Sequence, residues 1–245
     1  MNVNKVNAID HLSVSSIGKA MNCPRSWWAS YILKKDRPSG GAAQFGSQYD
    51  QIIGKRLNTK CHKEEPVTGG LADGVEEAVN GYLSQPHAFR SATDSQLPIH
   101  ISPSEWEVMA EMLGMYSEIP YPITGFIDLY DSNKRALVDL KTSSSKRTTF
   151  MWGMQVLIYS LATQANEARI HLMTKTKTPA YYDLPVPVTP TSQAWAMQIF
   201  AHQAALIKQW LVEGAGEHLP RIPDYWCNFC PEQLDCCACN IILGG

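Results

Sequence analysis

The sequence predicts a single mixed α/β domain, residues 1–245, with a central mixed β-sheet flanked by helices. Three observations carry this. Helical periodicity dominates the first half of the chain. Short β-rich runs then arrive in pairs around turn-forming residues, and a long amphipathic helix follows them. No internal repeat and no low-complexity linker interrupts the 245 residues, enough chain to bury a sizeable core.

Taken in order, "HLSVSSIGKAMNCPRSWWASYIL" opens on an N-capping serine and runs as a helix. Ile17, Met21, Trp28 and Ile32 form its buried stripe. A Gly-rich break precedes a second helix from about Phe45, and residues 60–73 read as loop. "GVEEAVNGYLSQ" and "PSEWEVMAEMLGMY" read as two helices joined by a polar stretch, a helical insertion over 74–117. "PITGFIDLY" and "ALVDLKT" read as strands on either side of the turn "DSNKR". "TFMWGMQVLIYSLATQAN" is a helix, and "ARIHLMTKT" with "AYYDLPVPV" is a further strand pair. "TSQAWAMQIFAHQAALIKQWLVEGAG" is a long helix with a Ser/Thr start and a Gly stop. A cysteine-rich tail occupies 220–245.

Composition narrows the classes. Apolar residues make up 44% and charged residues 18%, ordinary for a globular protein. No run of about 18 apolar residues suggests a membrane span. The N-terminus lacks the apolar core of a signal peptide, which predicts a cytoplasmic location. A net charge of −2 excludes a broadly cationic surface but permits a local basic groove. Lys34, Lys35 and Arg37, Lys134 and Arg135, Lys146 and Arg147, and Lys175 and Lys177 are local basic clusters; each is equally the pattern of a solvated loop. No G-x-x-x-x-G-K-[ST] phosphate loop is present, so the chain is not itself a P-loop motor.

The chemistry concentrates in the hairpin of 123–130 and 136–142. A turn centred on Ser132 and Asn133 sets Asp128 opposite Leu137. Strand alternation then projects Asp128, Asp139 and Lys141 from one face. Two carboxylates can hold Mg²⁺ or Mn²⁺, and such a metal lowers the pKa of water and stabilises phosphoryl charge. The lysine can orient that water or neutralise developing charge. By itself, D-x-K also fits an exposed edge-strand ion pair of little energetic worth.

The ordered set of elements resembles the RecB/AddB-like branch of the PD-(D/E)XK nucleases, including CRISPR-associated spacer-acquisition exonucleases and small phage exonucleases. "GFID" matches G-x-x-D through Gly125 and Asp128. "VDLKT" matches D-x-K through Asp139, Leu140 and Lys141. "MQVLIYSLA" matches Q-x-x-x-Y through Gln155 and Tyr159, which share a helix face. The resemblance implies a restriction-endonuclease-like core. It implies Asp128, Asp139 and the Leu140 carbonyl as metal ligands, Lys141 in water activation or charge stabilisation, and Gln155 and Tyr159 as positioning residues. One element departs: the family's early G-x-x-x-H has Gly46 followed by Asp50. Asp50 either supplies a hard ligand in place of the histidine or is an ordinary surface residue.

Of seven cysteines, five crowd the C-terminus: Cys227, Cys230, Cys236, Cys237 and Cys239. Without a secretory signal, such a cluster points to a metal rather than disulfides, zinc being the default. The resemblance implies instead that Cys23, in "MNCPRSWW", joins Cys227, Cys230 and Cys236 around a [4Fe–4S] cluster. A cluster so placed clips the chain's two ends together and closes a long loop. Cys61 reads as an incidental thiol, while Cys237 or Cys239 can substitute for Cys236.

The expected activity is therefore metal-dependent DNA hydrolysis, exonucleolytic on single-stranded ends, with a helicase, recombination or integrase partner. Trp27, Trp28 and Trp152 can stack on bases or pack in the core. The alternative is a non-catalytic DNA-binding or assembly subunit that keeps the fold.

Overall fold

The computed structural model describes residues 9–35, 41–63, 70–146, 149–222 and 230–231. It divides into two compact units, one of Met1–Ser39, Ile101–Thr124 and Met197–Gly245, the other of Gly40–His100 and Gly125–Ala196.

In the first unit, strand β1 (Leu12–Ser13) pairs in parallel with the start of β4 (Ile123–Asp131). Helix α1 (Val14–Asn22) follows directly, and Ser13 caps it reciprocally with Ser16. The long helix expected here is two helices. Cys23 is extended (φ −157°, ψ 102°), because a residue before proline is driven out of the helical region, and Pro24 opens α2 (Pro24–Tyr31). Trp27 is fully buried, stacked on Tyr31 and packed against Trp210 of α7 (Pro190–Glu213). It is thus a core residue, not a base-stacking surface. Helix α5 (Pro103–Met112) has a Ser102–Glu105 capping box, and buried Trp106 donates its indole N–H to Ser117 Oγ at 2.9 Å.

The sheet has the strand order β2–β3–β4–β5–β6–β7 and mixes parallel and antiparallel pairs. β2 is Lys60–Cys61, β3 Asp94–Ile101, β5 Ala136–Ser143, β6 Glu167–Thr174 and β7 Tyr181–Val186. Helix α3 (Gly41–Arg56) begins four residues before the expected Phe45. Its Tyr49 and Ile53, with Val75, Val79 and Tyr82 of α4 (Val75–Leu83), pack on Leu129, Val138, Leu140 and Met173 of the sheet.

The segment 74–117 is not solely helical, because its polar middle is strand β3. Leu97, Ile99 and Ile101 alternate with Gln96, Pro98 and His100, and Ile99 and Ile101 are buried while Pro98 and His100 face outward, but a proline inside the run argues against a strand. The short β2 likewise lies in the span read as loop.

The β4–β5 hairpin pairs Leu129 with Val138, Tyr130 with Leu137 and Asp131 with Ala136. This differs by two residues from the register expected. The loop has four residues because the Asp131 carboxylate accepts the N–H groups of Asn133 and Lys134, each at 3.0 Å, and Arg135 takes a left-handed conformation (φ 54°). A two-residue shift preserves side-chain parity. Continued one pair further, the register brings Asp128 across from Asp139. Helix α6 (Phe150–Thr163) then carries the chain to β6, parallel to β5 over eight pairs. Among the described residues, no helix is long and apolar enough to cross a membrane.

Candidate active site

The hairpin delivers its charged residues into a largely buried space. Asp139 is only 2% exposed, and its Oδ2 lies 2.7 Å from Lys141 Nζ. That ammonium is close enough for an ion pair, although it is not aligned as a hydrogen bond, and both Asp139 oxygens lack a hydrogen-bond partner. Asp128 is held differently. Its Oδ2 accepts the Leu140 N–H at 2.8 Å, and its Oδ1 accepts the Gln96 side-chain amide at 3.1 Å.

Charge is unbalanced here. Burial raises the Asp139 carboxyl to about 7; Lys141 opposes the rise and Asp128 adds to it. Burial also raises Asp128, against the pull of Lys141 and the Leu140 N–H. Asp50, from α3, is pushed well above the ordinary carboxylate range by burial and then by the Asp128 charge. For Lys141, burial alone would lower the pKa, but Asp139 and Asp128 outweigh it and hold the ammonium above its usual value. Three acids thus share one lysine, and buried Oδ1 atoms of Asp50 and Asp139 have no hydrogen-bond partner.

Helix α6 contributes the next two residues. Tyr159 is 4% exposed; burial, then the charges of Asp139 and Asp128, raise its hydroxyl pKa. Gln155, one turn earlier on the same helix face, partly opposes that rise. Gly125 makes room for this tyrosine, since a Cβ there would stand 2.8 Å from Tyr159 Cζ. Gly46 has no such necessity, because a Cβ there would meet Thr142 Oγ1 at 3.6 Å, an ordinary contact.

The structure therefore brings Asp50, Asp128, Asp139, Lys141, Gln155 and Tyr159 into one electrostatic neighbourhood. Excess negative charge and unpartnered carboxylate oxygens suit a divalent cation. Among the described residues, no three His, Cys, Asp or Glu side chains come together in a group that could hold a metal ion. Mg²⁺ does not need such a group, since it commonly binds one or two carboxylates and completes its shell with water and substrate phosphate. Gln96 is the site residue the sequence did not reveal, because Pro98 argues against a strand in the segment that carries it.

Of the four cysteines assigned to a cluster, Cys23 and Cys230 are free thiols of the first unit, half-buried and buried respectively. Cys227 and Cys236, like Cys237 and Cys239, lie outside the described residues. Cys61 is free, its thiol 3.2 Å from the Lys63 carbonyl.

Two lysines of the same unit lie over aromatic rings. Lys146 Nζ lies 4.5 Å from the Tyr182 ring centre, and Lys175 Nζ lies 5.4 Å from that of Phe45. Sheet register runs from Lys141 through Leu172 to Tyr182, so these three share one side of the sheet.

The family model of the PD-(D/E)XK nuclease superfamily matches residues 11–239. The crystal structure of a "putative exonuclease" from Eubacterium rectale is similar over 93% of this chain and 92% of its own, with a TM-score of 0.61 at 14% identity. The crystal structure of SSO0001 aligns over 96% of this chain and 90% of its own, with a TM-score of 0.43 at 15% identity. No curated protein matches the chain.

Proposed function

Since the chain belongs to the PD-(D/E)XK nuclease superfamily, we propose that it is a Mg²⁺- or Mn²⁺-dependent deoxyribonuclease that hydrolyses phosphodiester bonds, acting as an exonuclease on single-stranded DNA ends. The observation that carries this reading is the buried set of Asp128, Asp139 and Lys141 on adjacent strands. A buried site with three acids and one lysine must take up protons or a further cation. When bound, that cation supplies Lewis acidity toward the phosphate and makes hydroxide available near neutral pH.

The protein residues divide the work. Asp128 and Asp139, with the Leu140 carbonyl, offer oxygen ligands, and Asp50 adds a third carboxylate in place of the histidine usual in RecB-like relatives. Lys141 stays protonated beside Asp139 and can stabilise negative charge developing on the phosphoryl oxygens. Tyr159 keeps its proton, so it can donate a hydrogen bond to the DNA backbone, with Gln155 fixing its direction. The pairs Lys146–Tyr182 and Lys175–Phe45 supply positive charge and aromatic faces for a flexible strand.

In this reading Cys23, Cys227, Cys230 and Cys236 hold a [4Fe–4S] cluster that ties the N-terminal segment to the C-terminal tail. The free, sheltered thiols of Cys23 and Cys230 support it. Anaerobically purified protein with bound iron and sulfide and a broad visible absorbance would agree. A colourless protein carrying one zinc, with oxidative loss excluded, would replace the cluster by a zinc site. For the activity itself, labelled single-stranded DNA should shorten with Mn²⁺ and stay intact in EDTA; intact DNA under both conditions would leave the non-catalytic reading.

A further inference from the structure

We infer that Gln96 is a positioning residue of the active site, clamping the Asp128 carboxylate from a left-handed position in β3. The backbone gives the first reason. Gln96 has φ of +50° inside a strand, a conformation that is unfavourable for an L-residue and costs glycine nothing comparable. Its neighbours show why the chain turns there. Asp94 and Ser95 are registered on β2, with the Ser95 carbonyl accepting the His62 N–H at 3.0 Å and its hydroxyl accepting from Thr59 at 2.7 Å. Ile99 and Ile101 are anchored in the core. Between these anchors Gln96 takes the left-handed conformation, and its side chain reaches Asp128 on the neighbouring strand β4.

The target of that side chain gives the second reason. Its amide donates to Asp128 Oδ1 at 3.1 Å while the Leu140 N–H holds Oδ2 at 2.8 Å. Asp128 is therefore fixed from both neighbouring strands, β3 and β5, and each of its oxygens keeps a further acceptor position for a cation. Neither Asp139 nor Asp50 is tied in this way, since each has an Oδ1 without a hydrogen-bond partner. A residue that bears backbone strain where glycine would bear none, and whose amide reaches the presumptive ligand, is kept for its side chain.

This inference rests on the metal-dependent nuclease reading for the purpose of the clamp, and its test separates the two. Mn²⁺ binding is measured by calorimetry, cleavage on labelled single-stranded DNA, and thermal unfolding in EDTA, for wild type, Gln96→Ala, Gln96→Gly and Gln96→Glu. Loss of an outer-shell partner should weaken Mn²⁺ affinity about tenfold or more in all three variants, with cleavage falling in parallel. Glycine relieves the left-handed strain, so Gln96→Gly should unfold at a higher temperature than Gln96→Ala while binding Mn²⁺ no better. Gln96→Ala within about twofold of wild type in both affinity and cleavage would overturn the assignment, because outer-shell losses are larger than that. So would recovery of affinity in Gln96→Gly in step with its stability, which marks a purely structural role. If wild type binds Mn²⁺ but does not cut, the nuclease reading fails and the Mn²⁺ affinities alone judge Gln96. If wild type binds no Mn²⁺, both fall.

Discussion

Gly125 and Tyr159 occupy a space that only one of them can fill: a methyl group on Gly125 would stand 2.8 Å from Tyr159 Cζ. The glycine of G-x-x-D and the tyrosine of Q-x-x-x-Y, 34 residues apart, are thus two sides of one contact next to the acidic site. Gly125→Ala should cost about 1–3 kcal/mol, the usual range for overpacking, and lower cleavage by displacing the tyrosine. Tyr159→Phe removes the hydroxyl that the added methyl meets first, so the double variant should be more stable than the sum of its singles. Thermal unfolding of the four-member cycle measures the coupling, and strict additivity would deny the contact.

The burial of Asp139 makes stability depend on pH in a definite direction. Its carboxyl titrates at about 7 in the fold, above the ordinary aspartate value of about 3.9. The folded state holds a proton that the unfolded chain has released, so this group's contribution is full below the unfolded value and is lost as pH rises through about 7. Asn cannot ionise and escapes that loss. In EDTA, Asp139→Asn should therefore gain stability over wild type between pH 5 and pH 8.5, by at least about 1 kcal/mol or 2–4 °C in Tm. A difference that does not change with pH would contradict the excess of buried negative charge.

Asp50 is tested through the same imbalance. Asp50→Asn removes one of three mutually repelling carboxylates, so the metal-free protein should melt higher above neutral pH. Mn²⁺ affinity should fall by about tenfold, the scale of losing a supporting ligand. Unchanged affinity would make Asp50 a bystander.

How much of this was legible in the sequence depended on period and parity. The hairpin, α6, the β6–β7 pair and α7 carry clean alternation or helical spacing, and all stand where the residues place them. The register of the hairpin was missed by two because an Asp131 side-chain turn lengthened the loop, yet the common face of Asp128, Asp139 and Lys141 survived, since a shift of two leaves parity intact. β3 escaped because Pro98 argues against a strand even though Leu97, Ile99 and Ile101 alternate with Gln96 and His100, and with it went the amide that holds Asp128. The break at Cys23 was written in the following proline but was outweighed by helical spacing on both sides.

Substrate contact is tested by the cation–aromatic pair beside the site. Lys146→Ala or Tyr182→Ala should weaken single-stranded DNA binding, with about 1–3 kcal/mol lost for the aromatic, while leaving Mn²⁺ affinity unchanged. Removing Lys146 should also flatten the salt dependence of binding by about one unit of slope. Binding that is indifferent to both changes would place the strand elsewhere.

The central claim is that Asp128, Asp139 and Lys141 cut DNA. Its most direct test is hydrolysis of single-stranded DNA, labelled at either end, by anaerobically purified wild type and Lys141→Ala, in Mn²⁺ and in EDTA. Wild type should shorten the DNA from an end in Mn²⁺ only, and Lys141→Ala should lose at least about 100-fold, the scale of removing one charge-stabilising group. Intact DNA with wild type, or equal cleavage by Lys141→Ala, would contradict it.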